Sequence, residues 1–302
     1  MRRVLIAVIA MLSFTMLNAQ VTIEKPYAVG ADISWLQWQE DSGVRFSDGG
    51  VEDDAIAILR DNGMNYIRLR IFVNPKSELG YSQREGYCDL EHTLAMAKRI
   101  KEAGMYFLLD FHYSDNWADP AKQIMPQAWQ TYSYDEVREA LYNFTRDVLV
   151  ALDKQGTAPD MVQVGNETNS GMLHPIGKIG SDATNFAILA NKGYDAVKSV
   201  YPEAKVIIHR SEGHKANECK WLFNLLKTSK VKYDIIGLSL YPTWWENNGW
   251  CAWKPNVDAC IENIKALTSS FGKPVMICEI GLPVWEQQMS KDAVQYILDE
   301  TK

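Results

Sequence analysis

The sequence predicts an α/β protein, a TIM (β/α)8 barrel that runs out after its seventh β/α unit. Three observations carry this. Short apolar runs alternate with amphipathic stretches that bear helix start and stop signals, which is the pattern of parallel β/α units. The runs close on polar or aromatic residues, namely Asp32, Arg70, His112, Asn166 and Glu167, His209, Tyr241 and Glu279. Chemistry gathers at such C-terminal strand ends in a (β/α)8 barrel. No glycine-rich phosphate turn follows the first run, as a doubly wound nucleotide-binding sheet would require.

At the N-terminus, Arg2 and Arg3 precede an apolar run from Val4 to Leu17, and Ala19 offers a small residue before Gln20. This reads as a signal peptide over 1–19, so a secreted or periplasmic protein is expected. The run is short for a membrane span, and no cysteine follows the cleavage point to carry a lipid anchor. Residues 20–302 read as one domain, with no Pro-rich linker or low-complexity segment.

Strands are expected at Tyr27–Ile33, Tyr66–Phe72, Met105–Phe111, Met161–Val164, Lys205–His209, Tyr233–Leu240 and Lys273–Ile277. Helices are expected at Asp53–Asn62, Leu90–Ala103, Ser133–Lys154, Ala183–Val200, Ala216–Lys227 and Val257–Ser270. Gly63 and Gly104 follow two of them, where a helix C-terminus favours glycine. Ser290–Lys302 reads as the helix after strand seven, leaving the expected eighth strand and helix without a counterpart.

Composition narrows the function. With 302 residues, 47% hydrophobic and 23% charged, the chain can fill one large barrel. A net charge of −7 with no long basic run argues against nucleic acid as a partner. Ten Trp and fourteen Tyr exceed ordinary use. Core packing claims the larger share, and aromatics in loops suit the apolar C–H faces of sugar rings. Five cysteines leave at least one thiol free; Cys251 and Cys260 are close enough in sequence to bridge, and no spacing suggests zinc.

Two segments carry the chemistry. Met161-Val162-Gln163-Val164-Gly165-Asn166-Glu167 is an apolar strand that ends on a carboxylate with an amide beside it. Pro274-Val275-Met276-Ile277-Cys278-Glu279-Ile280-Gly281 brings a second carboxylate to the same end of the barrel. Period-two alternation puts Val275, Ile277 and Glu279 on one face. A lone Glu at a strand end is more often a salt-bridged or solvated residue, but two such groups raise each other's proton affinity, which suits an acid and a base. Glycoside hydrolysis uses that pair. Gly165, Gly237 and Ser239 share the inward parity and leave room for a sugar near the barrel top.

The chain resembles glycoside hydrolase family 53, the endo-β-1,4-galactanases of clan A, from Gly30 to about Pro283. The resemblance is carried by Gly30-Ala31-Asp32-Ile33-Ser34, by Asn65-Tyr66-Ile67-Arg68-Leu69-Arg70, and by the specific run Leu109-Asp110-Phe111-His112-Tyr113-Ser114-Asp115-Asn116-Trp117-Ala118-Asp119-Pro120. Val162-Gln163-Val164-Gly165-Asn166-Glu167 and Ile236-Gly237-Leu238-Ser239-Leu240-Tyr241-Pro242 extend it. The resemblance implies a retaining enzyme with Glu167 as acid/base and Glu279 as nucleophile. It implies that Asn166 bonds the sugar 2-hydroxyl, that His112 and Tyr241 line the −1 subsite, and that Tyr241 hydrogen-bonds Glu279. An Arg on strand two would support the nucleophile's charge; Arg68 and Arg70 share a face, and Arg70 lies nearer the C-terminal end.

Asp115 and Trp244 complete the expected substrate-binding set, with Trp117 as either a subsite platform or a plug for its own loop. Asp115 also reads as a structural residue. Asp110 and Asp119 either tie loops or serve the site, and His209 reads as a satisfied residue behind the cleft. Trp244, Trp245, Trp250 and Trp253 suit a sugar-binding wall after strand six. The expected activity is cleavage of β-1,4-galactosidic links in the (arabino)galactan side chains of pectin by a monomer that needs no cofactor. Some family members carry a structural calcium in a late loop, and no D-x-D-x-D-G loop is present here. The competing readings are a clan relative acting on mannan, xylan or β-glucan, and a truncated, inactive barrel that binds glycan.

Overall fold

The computed structural model describes residues 27–245, 249–250, 252–282 and 287–301. Seven parallel strands form one sheet in chain order. They are β1 (Gly30–Asp32), β2 (Tyr66–Ile71), β3 (Tyr106–Phe111), β4 (Met161–Val164), β5 (Lys205–Arg210), β6 (Ile235–Leu240) and β7 (Val275–Ile280). Besides a short helix at Leu36–Asp41, the helices between and after them are α1 (Ala55–Asp61), α2 (Leu90–Glu102), α3 (Tyr134–Gln155), α4 (Thr184–Val200), α5 (Ala216–Thr228), α6 (Trp253–Phe271) and α7 (Gln287–Thr301).

Local chemistry sets these boundaries. The Asp54 and Asp89 carboxylates accept backbone N–H groups at the starts of α1 and α2. Ser133 and Glu136 form a reciprocal capping box on α3. Gly104 follows α2 with φ +74°, the left-handed turn that glycine adopts without strain. Helix α6 starts four residues earlier than the sequence suggests, because Pro255 falls in its first turn, where a missing N–H leaves no bond unmade.

The sheet is curled into a nearly closed barrel. Arg68 on β2 reaches Glu279 on β7 at 2.8 Å, although the two strands lie five spacings apart along the sheet. In a flat sheet that path is about 24 Å. Odd and even positions then divide the work. Ile67, Leu69, Ile71, Val162 and Val164 face the helices and join the main core. Inside the barrel, Leu108, Ile207 and Ile235, with Met161, Met276 and Cys278, make an apolar floor. Above it the inward positions turn polar: Arg68, Asp110, Gln163, His209 and Ser239 are all buried.

Strand β7 departs from simple alternation. Leu238 pairs with Ile277, yet the next residue, Ser239, pairs with Glu279, so Cys278 is an extra residue at a bulge. Val275 and Ile277 pack against the helix-side core, whereas Met276 and Cys278 pack into the barrel floor. Thus Glu279 does not share the face of Val275 and Ile277. It turns inward only because the bulge shifts the register by one residue.

Cys88, Cys219, Cys260 and Cys278 are free thiols, so Cys260 takes no part in a bridge; Cys251 lies outside the described residues. Among the described residues, no helix is long and apolar enough to cross a membrane.

Candidate active site

Glu167 sits on a tightly held turn after β4. Its φ is +45°, in the left-handed region that costs a residue with a Cβ roughly 1–2 kcal/mol. Gly165 below it has φ +83°, and a Cβ there would stand 2.7 Å from Thr168 Cγ2. The turn is clamped from outside: Gln123 Nε2 donates to the Asn166 carbonyl at 2.8 Å, and Thr168 N–H donates to the His209 carbonyl at 2.8 Å. The strain is therefore held by neighbours, and its effect is to aim the Glu167 carboxyl across the barrel top. There Ser239 Oγ donates to Glu167 Oε1 at 2.6 Å.

Glu279 faces it from β7, held by two donors. Arg68 Nη2 donates to Oε1 at 2.8 Å, and Tyr241 Oη donates to Oε2 at 3.0 Å. The Tyr241 ring lies over Gly281, where a Cβ would meet its Cε1 at 2.5 Å. Arg68 is the hub of the site. Its guanidinium also bonds Asp32 Oδ2 at 2.8 Å, Asp110 Oδ2 at 2.7 Å and Asn166 Oδ1 at 3.0 Å. Burial opposes its charge, but Asp110, Glu279 and Asp32 together hold it firmly protonated. Asp110 is likewise penalised by burial, and Arg68 and His112 overcome this to keep its pKa below the usual carboxylate value.

The two glutamates are electrostatically unequal. Burial, reinforced by the negative charge of Glu279, pushes the Glu167 pKa up to about 7; the Ser239 hydrogen bond and Arg68 pull against this. Glu167 thus carries a proton over much of the range below neutrality, beside a carboxylate tied to a guanidinium and a phenol. Burial pushes the phenol of Tyr241 up, and the Glu279 charge adds to it, so Tyr241 remains a donor. His209 is pushed down to about 4 by burial, against the pull of Glu279, and is neutral.

The other expected residues fall as follows. Arg70 does not support Glu279; that contact belongs to Arg68, one inward position deeper. Arg70 instead stacks 3.9 Å from the Trp117 ring centroid, with Trp35 at 5.1 Å and Tyr81 at 5.4 Å. Asp115 ties two loops together. It is buried, and its two oxygens accept the Asn74 and Gln127 N–H groups at 3.0 and 2.9 Å. Trp117 is 40% exposed and packs edgewise on Phe72, Tyr81 and His112, so it both plugs its loop and presents a surface. His112 is buried; its Nδ1 accepts the Ala118 N–H at 3.0 Å and its Nε2 lies 2.9 Å from Asp110 Oδ2. Asn166 gives one amide proton to the Ala118 carbonyl at 2.8 Å. Trp244 lies on the short strand Trp244–Trp245, paired with Gly249–Trp250, and its side chain is outside the described residues, as is that of Trp250.

Sequence reasoning missed the hub role of Arg68 and undervalued Asp110, Asp32 and Gln163. The signal was available: polar residues at the inward parity of consecutive strands, 68, 110, 163, 209 and 239, stack into one layer. Asp119 does tie its loop, accepting the Ala121 and Lys122 N–H groups at 2.8 and 2.9 Å. Among the described residues no cluster of His, Cys, Asp or Glu is placed to hold a metal ion.

A β/α barrel with a proton-bearing carboxyl just after β4 opposite a carboxylate on β7 is built as a glycoside hydrolase. The Glycosyl hydrolase family 53 model matches residues 28–301, and the chain belongs to that family. It is 34% identical over 291 residues to an arabinogalactan endo-beta-1,4-galactanase of Cellvibrio japonicus, covering 94% of this chain and 73% of that one. Among solved structures it is similar to a GH53 catalytic domain of Ignisphaera aggregans, with 36% identity and a TM-score of 0.74 over 83% of this chain and 67% of that one. Fungal beta-1,4-galactanases align at 30% identity and a TM-score of 0.75, over 84% of this chain and 74% of theirs.

Proposed function

We propose that this chain cleaves internal β-1,4-galactosidic links in the (arabino)galactan side chains of pectin with net retention, as an exported monomer that needs no cofactor. The observation that carries this reading is the inequality of the two carboxyls: Glu167 pushed up to about 7, and Glu279 gripped by Arg68 and Tyr241. In the first step Glu279 attacks the anomeric carbon while Glu167 gives its proton to the departing glycosidic oxygen. The old C–O bond breaks, an ester to Glu279 forms, and the proton leaves on the released sugar. In the second step Glu167, now a carboxylate, takes a proton from water as the water oxygen attacks the anomeric carbon and frees Glu279.

The choice of galactan is supported by what the Cellvibrio and fungal relatives are named for. Export is supported by Arg2, Arg3 and the apolar run that follows. Reducing-end release from β-1,4-galactan, measured beside mannan, xylan and β-glucan, tests the substrate; turnover of another polymer in place of galactan sinks it. Proton NMR of the first-formed anomer tests retention. Full activity in a Glu279→Gln variant would remove the nucleophile assignment.

A further inference from the structure

We propose that Ser239 is a positioning residue that decides which oxygen of Glu167 carries the acid proton, and that His209 fixes Ser239 in that role. The inference rests on the reading of Glu167 as the acid/base. It follows from a chain of hydrogen bonds whose direction is set by the Glu167 backbone N–H. The Glu167 backbone N–H points at His209 Nδ1 at 3.3 Å. A backbone N–H can only donate, so Nδ1 accepts. Gln163 Nε2 lies 3.0 Å from the same nitrogen and supplies a second donor. The Gln163 amide faces this way because its Oε1 is 3.4 Å from Arg68 Nη2, which also can only donate. Asn166 Oδ1, 3.0 Å from Nδ1, already accepts from Arg68 and Gln163.

A neutral imidazole whose Nδ1 accepts carries its hydrogen on Nε2. That nitrogen is 2.8 Å from Ser239 Oγ, so the serine accepts there. Its own hydrogen is left for Glu167 Oε1, 2.6 Å away. Oε1 is therefore an acceptor in both protonation states of Glu167, and the transferable proton sits on Oε2. Gln163, His209 and Ser239 are each fully buried, which keeps water from reversing the chain.

No other neighbour does this. The charged and titratable groups that face Glu167 are Glu279 on β7, Asp119 after β3, Arg68 on β2, Tyr241 at the end of β6 and the neutral His209 on β5. Each acts on how readily the carboxyl ionises, whereas the donor to Oε1 is Ser239. Removing the hydroxyl frees the proton to occupy either oxygen, one of which points away from the departing sugar. It also removes a bond that favours the carboxylate.

The test needs the intact protein and three readouts. Nitrogen-15 NMR of His209 at pH 7 should show hydrogen on Nε2 and an accepting Nδ1; the opposite tautomer overturns the proposal without any variant. Carbon-13 NMR titration of Glu167 should show its midpoint rising in Ser239→Ala by on the order of one pH unit, and returning toward the original in Ser239→Thr. An unmoved midpoint overturns it. Finally, Ser239→Ala should lose about 10-fold or more on galactan, whose leaving group needs the proton, and little on a dinitrophenyl β-galactoside, whose leaving group does not. Equal losses on both substrates would mark a merely structural serine. The two NMR readouts involve no turnover, so they decide the inference even if galactan proves to be the wrong substrate. Intact galactan cleavage with the wrong tautomer would sink this inference alone.

Discussion

Replacing Arg68 by Met removes the one guanidinium shared by Asp32, Asp110 and Glu279, at 2.8, 2.7 and 2.8 Å. The side chain is 8% exposed and that of Asp110 is fully buried, so solvent cannot take over. Breaking a buried ion pair by removing one partner costs about 3–5 kcal/mol, because the remaining charge is left uncompensated. At 2–4 °C per kcal/mol for a chain of a few hundred residues, the melting temperature should fall by roughly 6–20 °C. Arg68→Lys keeps the charge but loses the fork, since an ammonium cannot span three carboxylates and two amides at once. It should recover most of the stability and little of the activity. Arg70→Lys is the control. Arg70 approaches Asp32 only at 3.4 Å and otherwise stacks among Trp117, Trp35 and Tyr81, so this change should raise KM, leave kcat nearly untouched and lower the melting temperature far less than Arg68→Met. Calorimetry and steady-state kinetics on the three variants decide the matter. If Arg70→Lys abolished kcat while Arg68→Lys behaved as wild type, the assignment of Arg68 as the support of Glu279 would be refuted.

Three further outcomes follow from the same geometry. Glu167 is ordinary at 4.5 when unfolded and is pushed up to about 7 when folded, so the unfolded chain loses this proton first as pH rises. Stability should therefore decline between about pH 4.5 and 7, by on the order of 3 kcal/mol, and level off above that; Glu167→Gln should flatten this slope in denaturant titrations and be the more stable protein at pH 8. Asp115→Ala strands two backbone N–H groups and should cost about 1–3 kcal/mol with kcat/KM preserved; an unchanged melting curve with a large KM increase would make Asp115 a substrate contact instead. Tyr241→Phe deletes the 3.0 Å bond to Glu279 but leaves the ring over Gly281, so kcat should drop about 10- to 100-fold in a protein that melts normally.

Most of the fold is legible in the sequence because a parallel barrel repeats one simple signal, an apolar strand and then an amphipathic helix with its caps. The carboxylate pair is legible too, since Glu167 and Glu279 each close an apolar run. What alternation misled was the orientation of Glu279. The strand reads as if Val275, Ile277 and Glu279 share a face, and the bulge at Cys278 breaks that parity. A bulge arises from how two strands fit, and one strand read alone carries no mark of it. The choice between Arg68 and Arg70 failed for a related reason. Depth in the barrel depends on register: Arg68 pairs with Leu108 and Arg70 with Asp110, yet Arg68 is the residue whose guanidinium reaches Asp110, across the register and not along it. Asp115 stays open between two readings in the sequence, because a carboxylate that accepts backbone N–H groups and one that greets a sugar hydroxyl look alike in a loop; the structure shows the first.

The charge of the site explains how one carboxyl serves both halves of the proposed reaction without moving. Asp32, Asp110 and Glu279 against Arg68 and Arg70 leave a net charge of −1 (three negative, two positive) while Glu167 is protonated. Ionising Glu167 makes it −2, and the Glu279 charge is the second cause, after burial, of its reluctance. Once Glu279 is esterified, the charges of this ion-pair cluster cancel and the Glu279 penalty vanishes, leaving the weaker push of Asp119. Burial remains, and so does the Ser239 donor that favours the carboxylate. The Glu167 pKa must then fall below 7 at the stage where it has to accept a proton from water. Glu279→Gln imitates this neutral state without substrate, so the Glu167 carbon-13 titration should move to lower pH in that variant. If it stayed at about 7, burial alone would hold the proton on Glu167, and the two carboxyls would not be coupled in the way their shared place at the barrel top requires.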